Sequence, residues 1–461
     1  MLIRHAAFGL LMVSAVALAQ PLALTNVTVI DVGGGASQRG MTVVIEGERI
    51  AAVEQTVPEK ARVVDATGKF LIPGLWDMHA HWGPGYGWMP ASYLPLFTAN
   101  GVTGIRLMAG HPVYLQWRGQ VAEGTLAGPR MVLAGAIVDG PKPFWRDSIA
   151  TSTTDDGRQA VQRTQQDGYD FVKVYSSLSR EVFFALADEA KKRRIPFAGH
   201  VPDRVRVEEA SDAGQKSIEH LTGLLLAVSS QETELRREFG AAMKLPATER
   251  AARLRSLGVR VLESQDAAKA AALFAKLKAN GTWQVPTFPV LRLLEPEDAT
   301  DPRLKYMPAP MRAGWARRAT EQRAPEEIAH QRNVFQRRLE LVGEMHRAGV
   351  GILAGSDSQN PYSFPGFSLH DDLEWLVKAG LSPLAALQAA TRNPAAYLER
   401  LQDFGAVEKA KMADLVLLDA DPLQDIRNAR RIAAVVSGGR FFSRADLDRM
   451  LADIERLAGA H

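Results

Sequence analysis

Short apolar runs alternate with amphipathic, helix-like stretches through the middle of this 461-residue chain. Eight of the runs are predicted to be strands: residues 71–76, 102–107, 130–135, 171–174, 197–200, 217–219, 283–290 and 351–355. Strands that alternate with helices are typical of βα units and a parallel sheet, and eight parallel strands can close into a barrel. The pattern therefore predicts an α/β fold class with an eight-stranded parallel β/α (TIM) barrel.

The two ends of the chain follow a different pattern, in which β-prone runs are separated by glycine-rich turns. These runs occupy residues 24–31, 41–47, 49–53, 414–418 and 432–439, and a helix-like tail follows from Ser443. We expect both ends to pair into one small composite β-sandwich. The predicted division is 20–68 for the first half of the sandwich, 69–401 for the barrel and 402–461 for the second half with its C-terminal helix.

Two long helical insertions are predicted at residues 229–280 and 308–348, after the sixth and seventh strands. Because loops after barrel strands lie on the face where catalytic residues collect, the insertions could form a lid. Ordinary covering helices, lengthened at the surface, explain the pattern equally well.

Residues 1–19 have the features of a secretory signal peptide: a charged start, a short apolar stretch and small residues before Gln20. The apolar stretch is shorter than the ~20 residues that a membrane-spanning helix needs, so a membrane anchor is disfavoured. The predicted location is periplasmic or secreted. The chain has no cysteine, which excludes a lipoprotein anchor, a disulfide framework and thiolate metal ligands.

The composition is that of an ordinary globular protein, with 46% hydrophobic and 23% charged residues and a net charge of +3. The charges of both signs are interspersed, and no basic patch typical of nucleic-acid binding is visible. The expected partner is a small-molecule substrate. Whether the chain forms a homo-oligomer is left open.

Residues suited to metal binding stand at the ends of several predicted strands. His79 and His81 are one residue apart on a strand, so both imidazoles point to the same side. Lys173, His200, His220 and Asp357 each lie at or just past the end of a later apolar run. In a parallel barrel these ends converge on one face, so the side chains are expected to meet.

The order His-x-His, Lys, His, His, Asp resembles the metal-dependent amidohydrolase superfamily, in its imidazolonepropionase-like and metal-dependent prolidase-like branch. Residues 389–395 and 411–419 also resemble that family's last barrel helix and return strand. The resemblance implies two divalent metal ions held by His79, His81, Lys173, His200, His220 and Asp357. Lys173 would carry a carbamate that bridges the ions, and Asp357 would be the catalytic proton shuttle. Zinc is favoured by the imidazole-rich ligand set, with manganese, iron and cobalt as alternatives.

Candidate substrate-binding residues are Trp82, Tyr86, Tyr175, Arg106 and His370. Trp82 and Tyr86 could form an aromatic wall or could simply pack, Tyr175 could donate its hydroxyl, and Arg106 could pair with an acidic group. Arg106 is followed by Leu107, where relatives of this branch commonly carry Asp, and the glycine-rich continuation common in dipeptidases is absent after His200. Both departures weaken any transfer of the substrate.

The predicted function is an exported binuclear hydrolase, in which a metal-bound hydroxide attacks the amide carbonyl of a dipeptide, an N-acyl amino acid or a similar small amide. Three alternatives stay open: an ester, lactone or phosphotriester hydrolase that uses the same site, a mononuclear deaminase, and a non-catalytic periplasmic binding protein.

Overall fold

The computed structural model describes residues 20–34, 37–82 and 89–460. Its strands, in chain order, are β1 (Leu22–Ile30), β2 (Ser37–Glu46), β3 (Arg49–Glu54), β4 (Arg62–Asp65), β5 (Phe70–Pro73), β6 (Leu75–Ala80), β7 (Val102–Leu107), β8 (Arg130–Leu133), β9 (Val138–Asp139), β10 (Ile149–Ala150), β11 (Val172–Val174), β12 (Phe197–Gly199), β13 (Ser217–Glu219), β14 (Trp283–Val285), β15 (Leu415–Leu418), β16 (Ile432–Ser437) and β17 (Arg440–Ser443).

The α-helices are α1 (Pro95–Ala99), α2 (Pro112–Ala122), α3 (Thr154–Gln166), α4 (Arg180–Arg193), α5 (Val207–Asp212), α6 (Leu224–Ala227), α7 (Glu232–Ala242), α8 (Ala247–Glu263), α9 (Ala267–Ala279), α10 (Phe288–Leu291), α11 (Ala309–Ala319), α12 (Pro325–Ala348), α13 (Phe367–Lys378), α14 (Pro383–Ala389), α15 (Arg392–Tyr397) and α16 (Arg444–Ala460). Short 3-10 turns cover Ala91–Tyr93, Pro296–Thr300, Pro302–Tyr306 and Ile426–Arg430.

One eight-stranded sheet contains strands from both ends of the chain, in the order β17-β16-β15-β5-β1-β2-β3, with β4 paired to β1. The ends meet where β5 runs antiparallel to β15, with Leu71 opposite Leu417. Apolar side chains of both ends form one buried cluster on this sheet, which includes Leu24, Val27, Val29, Val43, Ile45, Leu415 and Val436. This shared cluster gives the two ends a common core.

The predicted first barrel strand, residues 71–76, is two strands in the structure. β5 belongs to the composite sheet, whereas β6 pairs in parallel with β7. The break falls at Gly74, where a Cβ would lie 2.1 Å from Thr103 Oγ1. Only glycine fits so close an approach, and the continuous apolar pattern across it concealed the change of sheet.

The central strands form two parallel sheets, β6-β7-β8 and β10-β9-β11-β12-β13-β14. An isolated parallel bridge joins Ala134 to Phe171, and two more join residues 352 and 358 to β14 and β6. Residues 351–355, predicted to be the eighth strand, form only one such isolated bridge, at Ile352. The eight parallel segments therefore follow one another in the order expected of a β/α barrel. Continuous strand pairing joins some neighbouring segments, and isolated bridges join the others.

Helical segments cover these strands and bury the main apolar cluster against them. The helical character predicted for the two insertions is confirmed by α7, α8 and α9 after β13, and by α11 and α12 after β14. α12 begins with Pro325 and two glutamates in its first turn and ends before Gly349, whose φ is 83°. These are favourable start and stop signals for a helix. Among the described residues, no helix combines the length and the apolarity needed to cross a membrane.

Candidate metal centre

Three potential ligands meet at the carboxyl end of β6. His79 Nε2 lies 3.3 Å from His81 Nε2 and 3.4 Å from Asp357 Oδ1, and His81 Nε2 lies 3.0 Å from the same carboxylate oxygen. All three residues are buried. One donor atom from each falls within 4.8 Å of the others, so a single cation could contact all three.

The hydrogen bonds of His79 leave its Nε2 available as a ligand. Its Nδ1 lies 2.6 Å from Glu219 Oε2, so Nδ1 carries the proton and donates it to the carboxylate. Burial lowers the pKa of His79 well below its ordinary value, and the charge of Lys173 acts in the same direction. The imidazole is therefore neutral, with the Nε2 lone pair directed toward His81 and Asp357.

The ionisation of Asp357 also suits a metal ligand. Burial acts to raise its pKa, but the electrostatic effects of the neighbouring His220 and His81 outweigh it, and the pKa is lowered. A carboxylate and two imidazole nitrogens at this spacing are a donor set that first-row divalent ions favour. A carboxylate–histidine pair such as Glu219–His79 is a common support for a metal ligand. The residues present thus fit a divalent metal ion.

The other predicted ligands border this group. The His220 ring centroid lies 4.5 Å from that of His79 and 5.1 Å from that of His200. His220 Nδ1 lies 2.6 Å from Thr287 Oγ1, and His200 Nδ1 lies 2.8 Å from Ser176 Oγ. Burial is the main cause that lowers the pKa of His220 to about 4 and that of His200 well below its usual value. Both rings are neutral near pH 7, as metal ligation requires.

Lys173 stands in β11 with its side chain buried beside these histidines. Burial lowers the pKa of its ammonium to about 8, although the carboxylates of Glu219 and Asp357 act to raise it. Its charge also acts on His79 and His200, so Lys173 lies near both groups of ligands. The structure therefore brings all six predicted ligands together.

Three of the site residues have left-handed backbone conformations that are unusual without glycine. The φ angles are 58° at His220, 56° at Thr287 and 53° at Asp357. Each residue follows the end of a parallel segment, where the chain turns out of the sheet. Such conformations cost free energy and concentrate at functional sites.

The substrate candidates occupy varied places. Tyr175 stacks on His200 with ring centroids 4.0 Å apart, and its hydroxyl accepts a hydrogen bond from Trp145 Nε1 at 3.0 Å. Trp82 is buried and packs against Phe97, so it forms part of the core. Tyr86 lies outside the described residues.

Two other candidates are buried and bonded to protein groups. Arg106 lies between the rings of Phe171 and Tyr397, and its Nη2 donates to Glu219 Oε1 at 2.9 Å. The arginine therefore compensates a buried carboxylate instead of facing a ligand. His370 lies on α13, where its Nε2 donates to the Asn100 carbonyl at 2.9 Å, and burial lowers its pKa to about 4. It holds α13 against the end of α1.

The sequence pattern around this centre is shared with a known family. Residues 70–442 match the Amidohydrolase family. The chain belongs to the amidohydrolase family. It is therefore a hydrolase that acts on carbon–nitrogen bonds, and the members of this family generally bind metal ions. The family implies a TIM barrel with an additional domain.

Individual relatives of this amidohydrolase cover nearly its whole length. The ochratoxinase of Aspergillus niger is 23% identical over 477 residues, which cover 89% of this chain and 84% of that protein. A bottromycin amidohydrolase structure superposes with a TM-score of 0.77 and 26% identity, covering 95% of this chain and 91% of that chain. A Xaa-Pro dipeptidase with bound methionine gives a TM-score of 0.64 at 18% identity, covering 92% and 100%.

Glu219 is a buried residue of the candidate metal centre that the sequence did not single out. It joins His79, Arg106 and Ser217 through hydrogen bonds in the fully buried interior. It immediately precedes the candidate ligand His220, and alternation along a strand would send the two side chains to opposite sides. Because His220 has left-handed backbone geometry, the alternation ends there and both side chains reach the same site. A buried acid next to a ligand histidine was the available signal.

Proposed function

We propose that this amidohydrolase is an exported, binuclear metal hydrolase of small amides, such as dipeptides and N-acyl amino acids. The observation that carries the proposal is the convergence of His79, His81 and Asp357 with Lys173, His200 and His220 at one end of the parallel strands. A site for one ion is supported by the first three residues. The lysine and the two further histidines beside them supply ligands for a second.

Each residue has a definite role in this scheme. His79, His81 and Asp357 would hold one ion, and His200 and His220 the other. Bound divalent ions would supply a nucleophile at neutral pH and polarise the scissile carbonyl. Asp357, ionised and within reach of both groups of ligands, would accept the proton of the attacking water at a carboxylate oxygen. The same carboxyl group then returns the proton to the departing amine nitrogen.

Lys173 would act in this site as a carbamate. A lysine ammonium cannot be a ligand, whereas the neutral amine can add carbon dioxide to give an anion with two oxygen donors. The burial of Lys173 favours the neutral amine, and its position near both ligand groups suits a bridge. Divalent ions in place would favour loss of the ammonium proton further.

The substrate class is proposed from the relatives and the chemistry together. One structural neighbour bears the name Xaa-Pro dipeptidase and another bottromycin amidohydrolase, and both names denote cleavage of carbon–nitrogen bonds. The described site has Tyr175 stacked at its edge, with a hydroxyl whose pKa is raised by burial. That hydroxyl stays protonated at neutral pH, so it can donate to a substrate oxygen.

The proposal is tested with a panel of dipeptides and N-acyl amino acids, each matched by the corresponding ester. Metal-free enzyme should be inactive, and zinc, manganese or cobalt should restore amide hydrolysis. His81→Asn should lose activity and bound metal together. His111→Asn is the matched control, because His111 caps α2 and asparagine is a good helix cap. Turnover confined to esters, or full activity without metal, would contradict the proposal.

Export is proposed from the signal-like pattern of residues 1–19, which lie outside the described residues. Mass spectrometry of the protein from its native host should find Gln20 at the N-terminus, in the periplasmic or secreted fraction. Retention of Met1 in the mature protein would contradict export by this route.

A further inference from the structure

Arg338 is an arginine without an ionic partner. Within the part of the chain that the structure describes, no hydrogen bond or ion pair to its guanidinium occurs, and the remaining segments contain no Asp or Glu. Neighbouring arginines of α12 are paired: Arg337 Nη1 lies 2.6 Å from Glu344 Oε1, and Arg332 Nη2 lies 2.9 Å from Glu295 Oε1. Arg338 is nevertheless only partly exposed, and burial lowers its pKa.

The packing of α12 places Arg338 on the helix face that is turned toward the candidate metal centre. Phe335, one turn before Arg338, packs edge-on against Phe288 with ring centroids 5.8 Å apart. Phe288 directly follows Thr287, whose hydroxyl lies 2.6 Å from His220 Nδ1. Residues three apart share a helix face, so Arg338 is on the side of α12 that meets the site.

The same face of α12 borders open space. Gln331, one turn before Phe335, lines a cavity of 440 Å³ together with Asn360, Pro289 and Arg292. The Asn360 side chain donates to the Asp357 carbonyl at 3.0 Å. The cavity therefore adjoins the loop that carries Asp357, at the end of the strands where the ligands converge.

A partly buried guanidinium that lacks a carboxylate is costly, since it has given up water without gaining a counter-ion. Its planar arrangement of donors matches a carboxylate in a bidentate pair. Such a cation beside a catalytic centre is suited to a ligand that brings its own negative charge. Arg106 also lies near the centre, but it is already satisfied by Glu219 and cannot take this role.

We propose that Arg338 binds the carboxylate of the substrate, so that the enzyme selects small amides with a free carboxylate over the same amides with that group blocked. This inference rests on the proposed function and deepens it, because N-acyl amino acids and dipeptides with a free C-terminus carry this group. α12 thereby contributes a specificity residue from the insertion after β14.

The test compares N-acetyl-L-phenylalanine with N-acetyl-L-phenylalaninamide in the full-length, metal-loaded enzyme. Arg338→Met should lower kcat/KM for the acid on the order of 10- to 100-fold, mainly through KM, and leave the blocked compound nearly unchanged. Arg338→Lys should recover part of the loss, because it keeps the charge without the planar fork. Arg337→Met is the matched control and should keep the preference for the acid.

Binding of both compounds, measured by calorimetry on the same variants, separates this inference from hydrolysis itself. If the wild type binds the acid preferentially and Arg338→Met loses that preference, the carboxylate site stands even where turnover is absent and the proposed function fails. Equal losses for both compounds in Arg338→Met would show a general structural role and overturn the inference. A wild type that hydrolyses amides without preferring the acid would overturn it as well.

Discussion

At the scale of single residues, Glu219 connects the metal centre to the charge balance of the interior. Its carboxylate accepts one hydrogen bond from His79 Nδ1 and two from the Arg106 guanidinium. Both partners are buried. Removing its charge would leave Arg106 uncompensated and the His79 ring less firmly oriented. The ligand geometry therefore depends on a fully buried residue behind His79.

Glu219→Gln should weaken metal binding by 10- to 100-fold, the usual effect of losing a carboxylate that supports a ligand histidine. It should also lower the free energy of unfolding by ~3–5 kcal/mol, because a buried charge loses its partner. Metal titration and chemical denaturation measure the two effects. Glu399→Gln is the control: that glutamate pairs with Lys216 at the surface, and its loss should cost about 1 kcal/mol or less. Comparable effects in both variants would contradict this role for Glu219.

Asp357→Asn should keep the fold and much of the metal but lower turnover about 10²- to 10⁴-fold. The amide still offers an oxygen ligand, whereas it cannot accept a proton at neutral pH. Steady-state rates and elemental analysis of the same preparation check this. Activity within a few-fold of the wild type would assign the proton transfer to another group.

The role of a residue could be predicted from the sequence where few side-chain types have the required chemistry. It could be predicted less well where the role depends on the direction in which the side chain points. His79, His81 and Asp357 were predicted because few residue types bind metal, and the structure brings them together. Arg106 and Trp82 were considered for substrate, but a charge or a ring after a strand does not reveal whether it faces a cavity or the core. Arg106 can be buried because its charge is balanced by Glu219, which is more than a hundred residues away in the sequence.

At the scale of elements, the start of β6 depends on close contact with β7. Gly104 lies under the indole of Trp76, and a Cβ at this position would fall 2.2 Å from Trp76 Cε2. The indole in turn stacks on Phe404 with centroids 4.9 Å apart. The absence of a side chain at Gly104 is what lets the two parallel strands and this ring pack together.

Gly104→Ala should therefore destabilise the protein by ~1–3 kcal/mol through overpacking, seen as a lower Tm. Gly119→Ala is a matched control, because no atom lies within 4 Å of a Cβ there and the residue is inside α2. That change should be neutral or stabilise by up to ~1 kcal/mol. If Gly104→Ala changed the Tm no more than Gly119→Ala does, this would contradict the close packing of Trp76 on Gly104.

Element boundaries were predictable where amphipathic periodicity and helix-terminal signals agree, as in α12 with Pro325 and Gly349. They were not predictable where one apolar run serves two sheets, as at Gly74, because periodicity reports burial and not the partner strand. Residues 351–355 show the opposite case. Their apolar pattern reflects burial in the interior, but their pairing with β14 consists of one isolated bridge and not of a continuous strand.

At the scale of the whole molecule, the composite sheet ties the two chain ends together. β15 pairs on one side with β16, from the C-terminal part of the chain, and on the other side with β5, from the N-terminal part. Arg130, at the start of β8, also donates to Asp414 at 2.8 Å across the boundary between the parallel strands and this sheet. The long-range pairing was predictable from the matching β-prone runs at both ends, although its register was not.

Deletion of the chain from Leu401 onward should give insoluble protein instead of a trimmed active enzyme. It would remove β15 and expose the apolar side chains of β1 and β2, including Val27, Val29 and Val43. Solubility after expression and activity of the soluble fraction decide the outcome. A soluble and active truncation would refute the dependence of one end on the other.

We propose that Lys173 carries a carbamate, which would be a ligand shared by two metal ions. An ammonium in its place would repel divalent ions, and two unit charges 4 Å apart at an effective dielectric of 20 already cost ~4 kcal/mol. The most direct measurement is the metal content of wild type and Lys173→Ala, with rates before and after addition of formate, acetate or propionate. We expect two ions per wild-type chain, about one ion and no activity in the variant, and partial rescue by the short carboxylates. Two ions and near-normal rates in Lys173→Ala would contradict it.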